Sequence, residues 1–274
     1  VAINGGANAS RTTVYPVVQG EVKGGAIRGD NSVDRKAEQN TVTITEGDIQ
    51  ATVYGVFGEL FGAGSGSSTK VQTVNDNHVK ISGGSTHKVY GAYLTGYGGQ
   101  TGTGTATGNT VEISDTAKVT KTAYGAAADG NASLDKNSVT VKGGSVHDVY
   151  GATASGTGAV TNNAVTIENG IVNDNIVGGE NTATSDKAGA VTGNTVTVTG
   201  GEIGGDIYGG ITYGATASSG GSGGATQPTS GGNTVTITGG TLAGGTRPDG
   251  TLRGNVYGGY ARGTDTSVEQ NNVV

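Results

Sequence analysis

Hydrophobic and polar residues alternate along this chain in short, recurring bursts. The pattern Asn-x-Val-x-Ile/Val reads Asn40-Thr-Val42-Thr-Ile44, Asn77-His-Val79-Lys-Ile81, Asn109-Thr-Val111-Glu-Ile113 and Asn137-Ser-Val139-Thr-Val141. It continues as Asn163-Ala-Val165-Thr-Ile167, Asn194-Thr-Val196-Thr-Val198 and Asn233-Thr-Val235-Thr-Ile237. A further copy begins at Asn271-Asn272-Val273, and Val1-Ala2-Ile3 is the same strand lacking its Asn. Successive Asn residues lie 37, 32, 28, 26, 31, 39 and 38 positions apart. Alternation with period two predicts a β-strand whose Val/Ile pair faces inward and whose Thr, Lys and Glu face out.

A second pattern follows each strand. Val-Tyr-Gly occurs at Val53-Tyr54-Gly55, Val89-Tyr90-Gly91, Val149-Tyr150-Gly151, Ile207-Tyr208-Gly209 and Val256-Tyr257-Gly258. Val14-Tyr15 reads as an early copy, Ala123-Tyr124-Gly125 as a weakened one, and Ile176-Val177-Gly178 replaces the Tyr. Between the two patterns stand turns such as Gly83-Gly84 and Gly200-Gly201, which supply the positive φ a corner needs. A Gly/Ser/Thr/Ala segment of variable length then returns the chain to the next Asn. Length variation confined there predicts loops that leave a fixed body.

One such unit cannot bury its own Val/Ile pair, whereas stacked parallel copies can, at about 4.8 Å per layer. The competing antiparallel reading, a sandwich or propeller, needs four strands per blade, and a unit of 26 residues is short for that. The expectation is therefore an all-β fold: a right-handed parallel β-helix, or β-solenoid, of about eight coils with variable Gly/Ser/Thr-rich loops. It forms a single domain over residues 1–274, with partial repeats at both ends.

Composition sharpens this. Of 274 residues 55 are Gly, aromatics make up 5%, and Trp, Cys and Met are absent. So few large apolar side chains cannot fill a thick core at native density, but they can fill many thin layers. A net charge of −6 without a basic stripe argues against a nucleic acid partner. No apolar run approaches the length of a membrane span, so this segment is not expected to insert into one.

In a parallel stack the recurring Asn can donate its side-chain amide to the carbonyl of its counterpart in the next layer. Asn40, Asn77, Asn109, Asn137, Asn163, Asn194, Asn233 and Asn271 are thus expected to form a structural ladder. If each Val of Val-Tyr points inward, then Tyr15, Tyr54, Tyr90, Tyr124, Tyr150, Tyr208 and Tyr257 form an outward column. Such a column is either self-stacking or a track for sugar rings.

Together these motifs, best preserved in residues 194–210 and 233–260, resemble the passenger-domain repeats of bacterial autotransporter-like surface proteins. The resemblance covers essentially the whole chain. It implies secretion, a β-helical stalk, an extracellular or bacterial cell-surface location, and a role in adhesion or surface architecture.

An enzymatic reading fits the residues less well. Polysaccharide-cleaving β-helices need clustered carboxylates on adjacent coils. On the outward positions of the first strand, Glu112 and Glu168 are separated by a coil carrying Thr140. His87 and His147 sit in matching places of two repeats, which reads as unit duplication rather than metal chelation. Repeating nonapeptide and EF-hand calcium motifs are absent. Outward Thr columns, which would suit ice binding, are interrupted by Lys80, Glu112, Lys142 and Glu168. The expectation is a non-enzymatic structural module without cofactor or metal, with an adhesin that binds glycan or a host protein as the alternative. The expected partners are glycan, a host surface, or the chain itself. Val1, Ile3, Val273 and Val274 mark terminal strands whose complementarity would allow head-to-tail stacking.

Overall fold

A computed structural model describes residues 1–4, 6–7, 13–14, 16–28, 34–60, 71–96, 103–184, 188–213, 229–246, 252–262 and 267–274. Among these residues there is no helix, and the architecture is all-β. Three sheets of nine, twelve and eight strands carry nearly all of it. Every pairing within them is parallel. Each interior strand pairs with its counterparts one repeat before and one repeat after, and each end strand with one of them.

The first sheet holds the Asn-x-Val-x-Ile strands in register: Val42, Val79, Val111, Val139, Val165, Val196 and Val235 stand side by side. The second sheet holds the longer strands that contain Val-Tyr-Gly, such as Ser85–Gly96 and Ser145–Ala154. The third is formed by the return segment, for which length variation predicts loops alone; its strands include Gln72–Asn75, Thr103–Thr107 and Asn131–Asp135. Two antiparallel pairs, Gly6–Ala7 with Thr13–Val14 and Gly245–Thr246 with Leu252–Arg253, lie outside the three sheets.

Backbone geometry explains the corners. In the Gly83-Gly84 turn only Gly84 has positive φ, at 74°. Gly83 is required for closeness instead: a Cβ there would sit 2.2 Å from the Thr45 carbonyl oxygen of the preceding repeat. A second left-handed residue immediately precedes every ladder Asn. These are Gln39, Asp76, Gly108, Lys136, Asn162, Gly193, Gly232 and Gln270, with φ between 52° and 67°. Asp, Asn and Gly adopt this region most readily, and they fill five of the eight places.

The interior is two thin apolar columns. One joins the first sheet to the start of the second through residues such as Ile81, Val89, Ile113 and Val149. The other joins the end of the second sheet to the third through Leu60, Leu94, Leu134 and Val160. Between them in each repeat stand the Asn and the Gly of Val-Tyr-Gly. Gly91 shows why no larger residue fits there, since its Cβ would lie 2.4 Å from the Gly125 carbonyl oxygen.

All fourteen Val and Ile residues expected inside the first strands are buried except Ile237, which is half-buried. Ile237 lies in the last full strand of the sheet, beside the two-residue strand Asn272–Val273, so its outer flank is covered less.

Candidate functional site

The ladder begins with the left-handed residue that turns each Asn inward. Asn137 Oδ1 accepts two hydrogen bonds from Asn109, one from its backbone N–H at 3.1 Å and one from Nδ2 at 2.8 Å. The remaining Nδ2 proton of Asn109 reaches the Val74 carbonyl oxygen at 3.0 Å. The same paired bonds link Asn40 to Asn77, Asn77 to Asn109, Asn137 to Asn163, Asn163 to Asn194, Asn194 to Asn233 and Asn233 to Asn271. Every link points the same way, with the earlier Asn donating. The six interior members are fully buried, while Asn40 and Asn271 are partly covered. Two donors converging on one oxygen satisfy polar groups that would otherwise stand bare in a dry core.

A second ladder runs one residue before the Val-Tyr motif, in the later repeats. Asp148 Oδ1 accepts from the Asn175 N–H at 3.0 Å, Asn175 Oδ1 from the Asp206 N–H at 3.1 Å, and Asp206 Oδ1 from the Asn255 N–H at 2.9 Å. Here the later residue donates, so its polarity opposes that of the Asn ladder. Sequence inspection missed it because Asp and Asn alternate without a fixed motif. Their common place directly before Val149, Ile176, Ile207 and Val256 is the signal that reveals it.

The Tyr column is present and interrupted. Tyr54 and Tyr90 stack at 5.3 Å between centroids, Tyr90 and Tyr124 at 4.7 Å, Tyr124 and Tyr150 at 5.2 Å, and Tyr208 and Tyr257 at 5.0 Å. Val177 stands between Tyr150 and Tyr208 and divides the stack. At the other end Lys23 takes the place beside Tyr54, so Val22-Lys23-Gly24, not Val14-Tyr15, is the early copy of the motif. Val14 pairs antiparallel with Gly6, and Tyr15 itself lies outside the described residues. Phe57 and Tyr93 pack against the first rings, leaving Tyr54 and Tyr90 only 6% and 8% exposed. Burial accordingly raises the Tyr90, Tyr93 and Tyr150 hydroxyls above the usual phenol range.

Beside the break lies Glu180, 9% exposed, between Thr153 and Ile211 on adjacent strands. Thr153 Oγ1 donates to its Oε2 at 3.2 Å. Burial raises its carboxyl above the ordinary value, outweighing the hydrogen bonds from Thr153 and Tyr213.

The outward face of the first sheet carries a three-residue ion cluster. Glu112 bridges Lys80 at 2.9 Å and Lys142 at 2.7 Å, which holds its carboxyl below the ordinary value, Lys142 contributing most. Thr140, Thr166, Thr197 and Thr236 continue this column without charge. Two layers separate His87 from His147. His147, however, meets two acids: its Nδ1 lies 2.8 Å from Asp148 Oδ2, and ligand atoms of His147, Asp148 and Asp174 all fall within 4.8 Å of one another.

At the terminal strands, the Val1 amine donates to the Thr41 carbonyl oxygen at 2.8 Å and Ile3 packs partly against the core. Val1, Val273 and Val274 are 58%, 54% and 74% exposed. No helix among the described residues is long and apolar enough to cross a membrane. No family model, curated protein or solved structure matches the chain.

Proposed function

We propose that this chain is a structural module, a right-handed β-solenoid stalk of a bacterial surface or extracellular protein, and not a catalyst. Right-handedness follows from the strong preference of parallel β-crossovers for that hand. The observation that carries the reading is the Asn ladder: the most regular residue of the sequence is used up in holding layer to layer. The Gly column and the self-stacked Tyr rings serve the same end. The autotransporter-like repeat pattern supports an extracellular location. Because every ladder link runs in one direction, further copies of the chain would extend the stack only head to tail. Incubation with pectins, glucans and other polysaccharides should give no turnover. Cleavage that disappears on a single carboxylate substitution would overturn the reading.

Two aromatic rims give the adhesin reading its support. Tyr93 is half-exposed and donates to the exposed Asp129, while Tyr260 is 37% exposed and packs edge-on against Tyr208 and Tyr257. Rings beside acceptors are the surface a glycan would use. A glycan array in which binding is lost on Tyr93→Ala or Tyr260→Ala would favour this second reading.

A further inference from the structure

We propose that His147, Asp148 and Asp174 form a binding site for a borderline divalent metal ion, with Zn²⁺ as its best match. The three side chains come from two successive corners of the second sheet. The backbone N–H of Asp174 donates to the His147 carbonyl oxygen at 2.7 Å, which fixes one corner over the other. His147 Nδ1 and Asp148 Oδ2 are already 2.8 Å apart, and the third ligand atom is within 4.8 Å of both. Zinc bonds of about 2.0–2.2 Å place neighbouring ligands roughly 3.3–3.6 Å apart, inside that range.

Two further observations point to a ligand here. Asp174 Oδ1 is sealed from solvent and accepts no hydrogen bond, and its salt bridge to the Arg253 guanidinium is long, at 3.7 Å. A carboxylate oxygen so placed lacks the hydrogen-bond donor that buried acceptors ordinarily have. The other oxygen of Asp148, meanwhile, is held by the Asn175 N–H at 3.0 Å, which orients Oδ2 toward His147 as an outer-shell partner orients a metal ligand. Imidazole among the ligands selects Zn²⁺ over Ca²⁺, which prefers six to eight oxygens. With Nδ1 taken up by the metal, the neutral imidazole carries its proton on Nε2, and water completes the coordination.

His87 provides an internal control. It occupies the matching place two layers away, but Lys88 follows it where Asp148 follows His147. Zinc chloride is titrated into the full chain by calorimetry and followed by histidine ring NMR. One equivalent should bind, and of the three histidines His147 should shift. His147→Ala and Asp174→Asn should each weaken binding at least tenfold. His87→Ala should leave it unchanged, and Arg253→Ala should tighten it. His147 is half exposed, so its variant should melt with the parent. Absence of saturable binding, equal shifts in all three histidines, or full affinity in His147→Ala would each overturn the proposal.

Discussion

Asn109 and Asn137 are 28 residues apart in sequence and share one oxygen: Asn137 Oδ1 takes both the backbone N–H and the side-chain amide of Asn109. Asn194 and Asn233 are 39 residues apart and do the same, with both bonds at 2.9 Å. Eleven extra residues leave the link unaltered because they lie in the segment after the second-sheet strand. Stack geometry is thus set by the ladder and not by chain length.

Removing one rung should therefore be costly. Asn137→Ala strips two donors of Asn109 of their acceptor and leaves the Ala106 carbonyl oxygen without the Nδ2 donor. At about 1–3 kcal/mol for a buried group left unpaired, the loss should total roughly 3 kcal/mol or more. Asn40→Ala, at a partly covered rung, should cost less. Urea unfolding of both variants measures the difference.

Glycine substitutions should divide by position. Gly125→Ala puts a Cβ 2.5 Å from the Gly151 carbonyl oxygen and 2.7 Å from the Ser138 nitrogen, so neighbouring layers must separate. Gly20→Ala meets nothing within 4 Å. Thermal melting should show a fall of several degrees or failure to fold for the first, and little change for the second.

The first strand and its ladder were legible in the sequence because a period-two pattern with a fixed Asn repeats at every layer. The third sheet was not. It announces itself only by one apolar residue three places before each Asn, such as Val74, Ala106 and Leu134, and Ser230 breaks even that. Lys23 stands in the Tyr column without being a Tyr, because its place is set by Val22, which pairs with Val53, and not by its own side chain. The His147–Asp148–Asp174 cluster was hidden for another reason: its members come from different repeats, and their meeting depends on corner geometry that no local pattern encodes.

Tyrosines flanked by rings on both faces should matter more than those at a stack end. Tyr124 lies between Tyr90 and Tyr150, whereas Tyr150 stacks on Tyr124 and has Val177 on its other side. With about 0.5–1.5 kcal/mol per ring contact beyond burial, Tyr124→Leu should destabilise more than Tyr150→Leu. Equal effects in chemical denaturation would argue against a stacking ladder.

Stability should depend on pH in opposite senses at two carboxylates. Glu180 holds its proton more tightly when folded than when unfolded. Its contribution is full below the ordinary carboxyl value and is lost as pH rises through the raised folded value. Glu112, held low by Lys142 and Lys80, contributes above the ordinary value and loses that contribution as pH falls. Glu180→Gln should raise the melting temperature at neutral pH and flatten its decline from acid to neutral. A lower melting temperature at pH 7 would contradict the assignment.

The central claim is that each repeat adds one layer, whatever its length. The chain has no Cys, so pairs of spin labels can be placed on single introduced cysteines in the outward column Thr41, Ala164, Thr195 and Thr234. Counting ladder steps at about 4.8 Å each, the Cα separations from Thr41 should be about 19 Å to Ala164, 24 Å to Thr195 and 29 Å to Thr234. The last two intervals span 31 and 39 residues yet should add the same distance. Pulsed electron–electron resonance that gives this even, linear series supports the parallel stack. Distances that follow residue count, or that shorten as repeats are added, would contradict it.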